Sequence, residues 1–368
     1  MPTLRPIAFF ALLSALLAGT PALADPSVQE TATWLAGLQR DPDAQLSKVQ
    51  QETDAAWQTL RTQRLTPMDQ FARHNFPAER AQCDTLFYPF GGPDNLNALG
   101  MFPDCRRYVL FGLEPIGELP TLERLSAERK ALVLADMHRA QQYILRRNFF
   151  VTQYMTKELN TPNLKGVLPI LVTNLARMGY VLLDVQTGNL DGSVPADAGG
   201  RPRAVFVHFR AQGGGPVQEL MYASFDASDS GLERRPGFLQ FLAPIDPTVT
   251  LMKAASYLLF EKDFARMRSL VEDRSRLIIQ DDSGLPFAEL RTHGFAVDLF
   301  GDYVGTIPQF RYRYQKDLAA AYAAQPSHAA LPFDWSYAWR PGEASMQVAR
   351  KTAAHPPAQD SAATAAQP

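Results

Sequence analysis

The chain is 368 residues long and nearly balanced in charge, with 36 Lys and Arg residues against 38 Asp and Glu residues and a formal net charge of −2. So small a net charge gives no electrostatic reason to expect a nucleic-acid partner, and we predict none. The length exceeds the roughly 250–300 residues that one hydrophobic core usually supports, which allows one large domain with appendages or two domains.

The N-terminus predicts a cleavable secretory signal peptide at residues 1–24. Arg5 provides the positive charge, residues 7–17 form an apolar run, and residues 22–24 form a small-residue cleavage site. The apolar run is too short for a membrane span, and no later stretch is apolar and long enough for one. We therefore predict cleavage after Ala24, no membrane span after cleavage, and a periplasmic or secreted protein. The alternative is an uncleaved N-terminal anchor.

Residues 25–80 predict a helical segment that forms a layer or an arm. Trp34, Leu35 and Leu38 fall on one face of a helix. Pro67 suits the first turn of a second helix, because its missing amide proton is not needed there.

From residue 81 to residue 342 the pattern predicts an α/β domain. Apolar runs at 86–90 and 108–111 predict two buried strands joined by a crossover, and residues 126–150 predict a long helix. The remaining predicted elements are a helix at 164–178, strands at 180–185, 204–209 and 217–225, a helix at 264–273, a strand at 276–280, a helix at 286–292 and a strand at 295–300.

Strands that alternate with helices are typical of a mostly parallel sheet covered on both faces. A hairpin through the glycines at 213–215 joins the strands at 204–209 and 217–225, which makes the sheet mixed. We predict a three-layer α/β fold with a mixed, mostly parallel sheet, a Rossmann-like core and an N-terminal helical segment. Residues 343–368 predict a strand at 345–349 and then a disordered tail rich in Ala, Pro, Gln and Ser.

Cys83 and Cys105 are the only cysteines. An isolated pair in an oxidising compartment is expected to form a disulfide. The closed loop is short, so by the chain-entropy account the bond contributes roughly 3 kcal/mol. The alternative is two buried free thiols. We expect no cysteine nucleophile, because nothing nearby would lower a thiol pKa.

A glycine turn follows the first predicted strand, and an acid follows the second. Residues 87–94 have the sequence Phe-Tyr-Pro-Phe-Gly-Gly-Pro-Asp, and Glu114 ends the second strand. Glycines let the backbone approach a ligand, and an acid can bind a ribose diol. Tyr88, Asp94 and Glu114 are therefore candidate ligand-binding residues. The alternative is a tight turn, with Glu114 as a helix cap.

This layout resembles, over this stretch alone, the opening β-α-β unit of Rossmann-type methyltransferases, which hold S-adenosylmethionine with a glycine-rich turn and an acid. Four features depart from that pattern: Gly91 and Gly92 are adjacent, Pro93 removes an amide that would face a ligand, the crossover helix is short, and Pro115 directly follows the acid. Cofactors of this class are cytoplasmic. In an exported protein the resemblance therefore implies a reused scaffold and leaves the cofactor unassigned.

A second block, Gln-Asp-Asp-Ser-Gly at 280–284, directly follows a predicted strand. Ligands of open α/β sheets bind outside the carboxyl ends of strands. Adjacent carboxylates there can coordinate a hard cation or act as acid and base, so Asp281 and Asp282 join the candidate site. The alternative is a turn in which Asp282 or Ser283 caps the helix after Pro286.

None of the six histidines has a partner at the spacing of a metal site. His138 lies on the long helix after Glu114 and is a candidate for facing the same site; the alternative is a surface or packed histidine. The aromatic residues at 331–337 can line a carbohydrate or peptide site, or clamp the C-terminal strand onto the core. The sequence assigns no metal, cofactor or catalytic residue.

The Phe-Tyr-Pro-Phe-x-Gly-Pro-Asp and Gln-Asp-Asp-x-Gly blocks, with Leu-Phe-Gly-Asp-Tyr at 299–303, resemble those of exported bacterial proteins of uncharacterised function. This resemblance covers residues 80–340 and implies export without implying an activity.

Three functions stay open at this point. The first is binding of a small polar ligand in a cleft at the strand ends. The second is an acid-pair or divalent-cation-dependent hydrolase, which requires Asp281 and Glu114 to converge in one cleft. The third is a non-catalytic envelope interaction protein that keeps the fold only as a scaffold.

Overall fold

The computed structural model describes residues 26–39, 44–149, 157–189, 204–245, 249–325, 329–337 and 343–352. The predicted signal peptide at 1–24 and the predicted tail beyond residue 352 lie outside the described residues.

Within the described residues, nine strands form one sheet. They are β1 (Thr85–Tyr88), β2 (Arg107–Gly112), β3 (Tyr180–Gly188), β4 (Ala204–Ala211), β5 (Gln218–Ser224), β6 (Val249–Met252), β7 (Leu277–Gln280), β8 (Phe295–Gly301) and β9 (Ser345–Lys351). Their order across the sheet is β3-β4-β5-β2-β1-β6-β7-β9-β8. The predicted α/β class and the mixed sheet are confirmed.

The prediction of a mostly parallel sheet holds only in part, because four pairings among the described strands are parallel and four are antiparallel. The central strands β5, β2, β1, β6 and β7 pair in parallel. Both flanks pair antiparallel, as β3-β4-β5 on one side and β7-β9-β8 on the other. The predicted hairpin between β4 and β5 reverses the chain on the first flank. On the second flank, β9 returns from the C-terminal end and inserts in the reverse direction between β7 and β8.

Helices precede the sheet and fill many of the connections between its strands. They are α1 (Pro26–Leu35), α2 (Ala44–Leu60), α3 (Thr66–Asn75), α4 (Pro77–Ala81), α5 (Asn95–Met101), α6 (Ala127–Arg147), α7 (Leu168–Arg177), α8 (Asp229–Glu233), α9 (Pro236–Leu242), α10 (Ala265–Arg274), α11 (Phe287–Thr292) and α12 (Lys316–Ala324). The predicted N-terminal helical segment is confirmed. It packs on the rest of the fold, since α1 contacts α7 and β3 while α2 contacts α6.

Alternate residues of the central strands belong to two different apolar clusters. In β1, Leu86 and Tyr88 pack with residues of α1, α3, α6 and α7. Phe87, between them, packs with residues of α8, α9, α10 and α11. Successive side chains of a strand point to opposite faces, so the two clusters lie on opposite sides of β1.

The predicted Cys83–Cys105 disulfide is present, with the two Cα atoms 4.6 Å apart. Cys83 lies just before β1 and Cys105 just before β2. The bond therefore joins the starting ends of two parallel neighbours, at the edge of the sheet opposite their carboxyl ends.

β6 (Val249–Met252) is not predicted from the sequence. Its four residues, Val-Thr-Leu-Met, are too few for periodicity to distinguish a strand from a helix. In the structure β6 pairs with β1 on one side and with β7 on the other. Lys253, which directly follows β6, is therefore placed at the centre of the sheet's carboxyl edge.

Candidate functional site

The loops after β1, β2, β6 and β7 meet at one edge of the sheet, because parallel strands place their carboxyl ends together. β2 and β6 lie on opposite sides of β1, so the direction in which the chain adds strands reverses there. Ligands of open α/β sheets bind outside such a reversal point.

Asp94 holds the first predicted block together through buried hydrogen bonds. Its Oδ1 accepts a hydrogen bond from the backbone N–H of Asn97 at 3.3 Å, which caps α5. The Tyr88 hydroxyl donates to Oδ2 at 2.8 Å. Burial raises the pKa of Tyr88, and the Asp94 charge raises it further. The predicted residues Tyr88 and Asp94 thus form one cluster.

Lys253 forms a buried ion pair with Asp94. Its Nζ lies 3.0 Å from Oδ2, and the two side chains are 1% and 3% exposed. Nζ also donates to the Asn148 carbonyl oxygen and lies 5.9 Å from the centre of the Trp335 ring. Burial lowers the pKa of Lys253, and the Asp94 charge opposes that shift. A buried charge requires its partner, so this pair fixes the loop after β1 to the loop after β6.

Asn148 connects this ion pair to the C-terminal part of the chain. It ends α6 in a left-handed conformation, and its Oδ1 accepts a hydrogen bond from Asn97 Nδ2 at 3.0 Å. Its own Nδ2 donates to the Asp334 carbonyl oxygen at 2.7 Å. The residues just before Trp335 are therefore anchored to the same cluster.

Asp281 is buried and accepts hydrogen bonds from three separate segments. Its donors are the backbone N–H of Ala254 at 2.7 Å, the backbone N–H and the hydroxyl of Ser283 at 2.8 Å and 2.5 Å, and the Ser336 hydroxyl. Burial raises the pKa of Asp281, while these hydrogen bonds from Ser283 and Ala254 and the charge of Lys253 oppose the shift. Asp281 therefore orders the loops after β6 and β7 together with the segment around Ser336.

Asp282 lies beside it, with only 7% of its surface exposed. The Tyr257 hydroxyl donates to its Oδ2 at 2.5 Å. Burial, reinforced by the charge of Asp281, raises the pKa of Asp282 to about 7. Neither Asp282 nor Ser283 caps the next helix, because α11 begins after Pro286 without a side-chain cap.

Strained backbone is concentrated in these same segments. Among the described residues, the non-glycine positions with positive φ, between 51° and 65°, are Phe90, Asn148, Ala254, Ser256, Tyr257 and Ser336. Left-handed backbone costs an L-residue about 1–2 kcal/mol. Such a cost persists where surrounding contacts impose it, and it is common at ligand sites.

A cavity of about 760 Å³ lies next to Asp282. Its other walls are residues 304–309, residues 335–337, Glu343 and Ser345. The volume lies within the range of about 300–1,000 Å³ that small-molecule sites occupy. The walls combine carboxyl, hydroxyl, aromatic and aliphatic groups, so the cavity can hold a ligand that has both polar and apolar parts.

Glu114 lies at the same edge in a separate, filled place. It is buried, and the Tyr222 hydroxyl donates to its carbonyl oxygen at 2.9 Å and lies 3.4 Å from its Oε2. A Cβ on Gly112 would lie 2.4 Å from Oε2, and one on Gly92 would lie 3.4 Å from it. These glycines therefore make room for the chain's own carboxylate, a role that requires no ligand.

Glu114 and Asp281 do not form a carboxylate pair. β1 and β6 lie between the strands that carry them. At about 4.8 Å per strand spacing, the two strand ends are about 14 Å apart. That separation is too large for two carboxylates that share one proton or one cation.

His138 is not brought to this site. Its Nδ1 lies 2.9 Å from the Thr53 hydroxyl of α2, and its Nε2 lies 3.0 Å from the Gln142 amide nitrogen. Burial lowers the pKa of His138. The face of α6 that carries His138 packs on α2, so this residue belongs to the contact between two helices.

Three residues that contact the predicted acids are not predicted from the sequence: Lys253 and Asn148, near Asp94, and Ser336, beside Asp281. Each contacts residues far away along the chain, and Lys253 follows a strand that is itself unpredicted. In the aromatic segment 331–337, Phe333 packs on Phe71 of α3 at 5.5 Å between ring centres, whereas Trp335 and Tyr337 line the cavity.

Within the part of the chain that the structure describes, no group of three or more His, Cys, Asp or Glu residues is arranged to hold a metal ion. No helix in those ranges is long and apolar enough to cross a bilayer. In comparisons with known proteins, no family model, no curated protein and no solved structure matches this chain.

Proposed function

We propose that this protein binds a small polar ligand in the cavity bounded by Asp282, residues 335–337 and Glu343. The observation that carries the proposal is a cavity of ligand size that is lined by Ser336, whose backbone is strained. Two more strained residues contact the cavity wall: the backbone N–H of Ser256 donates to the Tyr337 hydroxyl at 3.1 Å, and the Tyr257 hydroxyl donates to Asp282. Strain that is imposed by contacts around a concave, mixed-polarity cavity is typical of a binding site.

Asp281 is the positioning residue of this site. It does not line the cavity, but it holds Ala254, Ser283 and Ser336 by hydrogen bonds. Segments that are ordered before a ligand arrives lose less entropy on binding. These hydrogen bonds also restrict Tyr257 and Asp282, because Ala254 and Ser283 lie close to them in the chain.

We also propose a three-layer, Rossmann-like core for the central part of the sheet. The parallel strands β5-β2-β1-β6-β7 have the order 3-2-1-4-5 when numbered among themselves, which is the order of doubly wound nucleotide-binding sheets. The two apolar clusters on opposite sides of β1 support helices on both faces. The filled space around Glu114 supports a scaffold that is reused for another ligand.

A location in the periplasm or outside the cell goes with this proposal. Its support is the N-terminal sequence together with the Cys83–Cys105 disulfide, because such bonds persist in oxidising compartments. Of the other two functions, the acid-pair hydrolase is less well supported, because Glu114 and Asp281 do not form the pair that it requires. A binding screen without any hit would favour the remaining function, an envelope interaction protein that binds no small ligand.

The experiment is a thermal-shift screen of the purified protein, followed by calorimetry of the hits. The panel contains amines, polyols, sugars, amino acids and carboxylates. We expect at least one class of compound to raise the melting temperature. Asp282→Asn should weaken the binding of that compound, whereas Asp263→Asn, at an exposed acid, should leave its affinity unchanged. Hits that are equal for both variants, or no hit at all, would overturn the proposal.

A further inference from the structure

We infer that Glu272, Glu289 and His293 form a proton-dependent lock between α10 and α11, which a shared proton holds below neutral pH and which weakens above it. The lock needs no ligand, so it goes beyond the proposed binding function and is tested separately from it.

The lock consists of three hydrogen-bonding groups that face one another without a donor between them. Glu272 is buried, and its carboxyl group lies within hydrogen-bonding reach of the Glu289 carboxyl group. His293 Nδ1 donates to the Glu289 carbonyl oxygen at 2.9 Å, and its Nε2 lies 3.4 Å from Glu272 Oε2. Glu272 Oε1 and Glu289 Oε2 have no hydrogen-bond partner among the described residues. Ionised carboxylates only accept hydrogen bonds, and an imidazole that donates through Nδ1 needs a second proton to donate through Nε2.

A proton can fill this gap. Two carboxyl groups at such close range do not both ionise readily, so one of them keeps its proton and donates it to the other. Within the residues that the structure describes, these three groups are not arranged to hold a metal ion. Glu272 lies on α10 and Glu289 on α11, so the shared proton joins the two helices.

The neighbouring cations do not replace this proton. Arg268 Nε lies 4.0 Å from Glu289 Oε2, which is beyond hydrogen-bonding distance. Lys351 Nζ donates to the backbone carbonyl oxygen of Glu272 at 2.7 Å. Burial raises the pKa of Glu272 to about 7; a charge on His293 and the charge of Arg268 oppose that shift, whereas the Glu289 carboxylate reinforces it.

The shared proton is lost as the pH rises through neutrality. The pKa of Glu272 is about 7 in the closed lock and about 4 in an open or unfolded chain. The closed lock therefore holds an extra proton between these values. The stability that it contributes is complete below about pH 4, falls as the pH rises, and is lost above about pH 7.

α11 is connected to the backbone of the candidate site. The backbone N–H of Phe287 donates to Gln315 Oε1 at 2.8 Å, and Gln315 Nε2 donates to the Asp282 carbonyl oxygen at 2.9 Å. Release of α11 therefore removes one support of the Asp282 backbone.

Hydrogen exchange of the purified protein, measured by mass spectrometry, tests the lock, because amide protons exchange when a segment opens locally. The measured quantity is the protection of peptides within residues 287–294 at pH 6 and pH 8, corrected for the chemical exchange rate at each pH. Glu272→Gln replaces the shared proton by a permanent amide donor. Asp273→Asn, at the exposed acid next to it on α10, is the matched control.

We expect the protection of α11 in the unchanged protein to fall about tenfold from pH 6 to pH 8, the factor that follows from pKa values of about 7 in the closed lock and about 4 in the open one. Asp273→Asn should show the same fall. In Glu272→Gln the fall should be less than about twofold, because the titrating group is gone. Glu289→Gln, at a more exposed position, should reduce the fall in the same way, and it decides the question if Glu272→Gln does not fold.

Two results would overturn the lock. One is protection of α11 in the unchanged protein that does not change between pH 6 and pH 8. The other is a fall that persists undiminished in the glutamine variants, which would place the titrating group elsewhere, as at Asp282. Neither measurement involves a ligand, so the ligand screen decides the proposed binding function separately.

Discussion

The loops after β2 and β7 both carry a buried acid at the same edge of the sheet, yet they differ in what surrounds it. Glu114 is enclosed by Gly92, Gly112 and Tyr222, whereas Asp282 borders a cavity of about 760 Å³. The more recognisable pattern, a glycine turn with an acid, is explained by internal packing. The ligand-sized space lies beside the block that is less specific in sequence.

The largest expected effect comes from the Asp94–Lys253 ion pair, which joins the loops after β1 and β6 between these two regions. Lys253→Met leaves Asp94 buried without its partner, so we expect a loss of about 3–5 kcal/mol in the free energy of unfolding. Chemical denaturation measures it. Lys262→Met, at an exposed lysine, is the control and should change stability by less than about 0.5 kcal/mol. A loss below about 1 kcal/mol for Lys253→Met would show that the pair does not hold the loops together.

Filling the space beside Glu114 should have the next largest effect. A Cβ on Gly112 would lie 2.4 Å from Glu114 Oε2 and 3.0 Å from the Gly92 Cα atom. Gly112→Ala should therefore destabilise the fold by about 1–3 kcal/mol. Gly213→Ala, where no atom lies within 4 Å, is the matched substitution and should be nearly neutral. Equal effects at the two glycines would contradict tight packing around Glu114.

Asp282 gives a smaller effect with a definite dependence on pH. Its pKa is about 7 in the folded protein and about 4 in an unfolded chain. The folded state therefore holds an extra proton between these values, and stability falls as pH rises from 4 to 7.

Asp282→Asn removes this loss, and the new side chain still accepts a hydrogen bond from Tyr257. We expect the variant to melt a few degrees above the unchanged protein at pH 8 and to match it at pH 4. Part of the pH dependence should remain, because burial also raises the pKa of Glu272 to about 7. A variant that melts lower than the unchanged protein at pH 8 would contradict a protonated Asp282 at neutral pH.

The smallest expected effect tests the strain near the cavity. Ala254 has a φ of 51°, which glycine adopts without cost. Ala254→Gly should stabilise the fold by about 0.5–1 kcal/mol. Ala288→Gly, at an exposed position of α11, should instead destabilise it by about 1 kcal/mol. Destabilisation at both positions would show that the loop after β6 is not strained.

Elements with strong local signals are predicted from the sequence. The strands β1 and β2, the helix α6 and the hairpin of β4 and β5 follow from apolar runs, helical spacing and a glycine link. The Cys83–Cys105 disulfide is predictable because the chain has only two cysteines and is expected in an oxidising compartment. Tyr88 with Asp94, and Asp281 with Asp282, are close to each other in sequence, so their clusters are also predictable.

Features that depend on long-range packing cannot be predicted from the sequence in this way. β6 is too short to show a hydrophobic period, so the sequence does not reveal Lys253 at its end. The direction of β9 depends on how the C-terminal part of the chain returns to the sheet. His138 follows Glu114 in the sequence, but its position in the fold depends on which face of α6 packs on α2. The contact of Ser336 with Asp281 joins residues that no local pattern connects.

The most direct test of the comparison is calorimetry of the best compound from the screen with three proteins: the unchanged protein, Asp282→Asn and Glu114→Gln. Circular dichroism first establishes that both variants are folded. A site at the cavity beside β7 predicts an affinity at least about tenfold lower for Asp282→Asn and within about twofold for Glu114→Gln. The reverse order would place the ligand at the glycine turn and contradict the assignment of the binding site to the cavity.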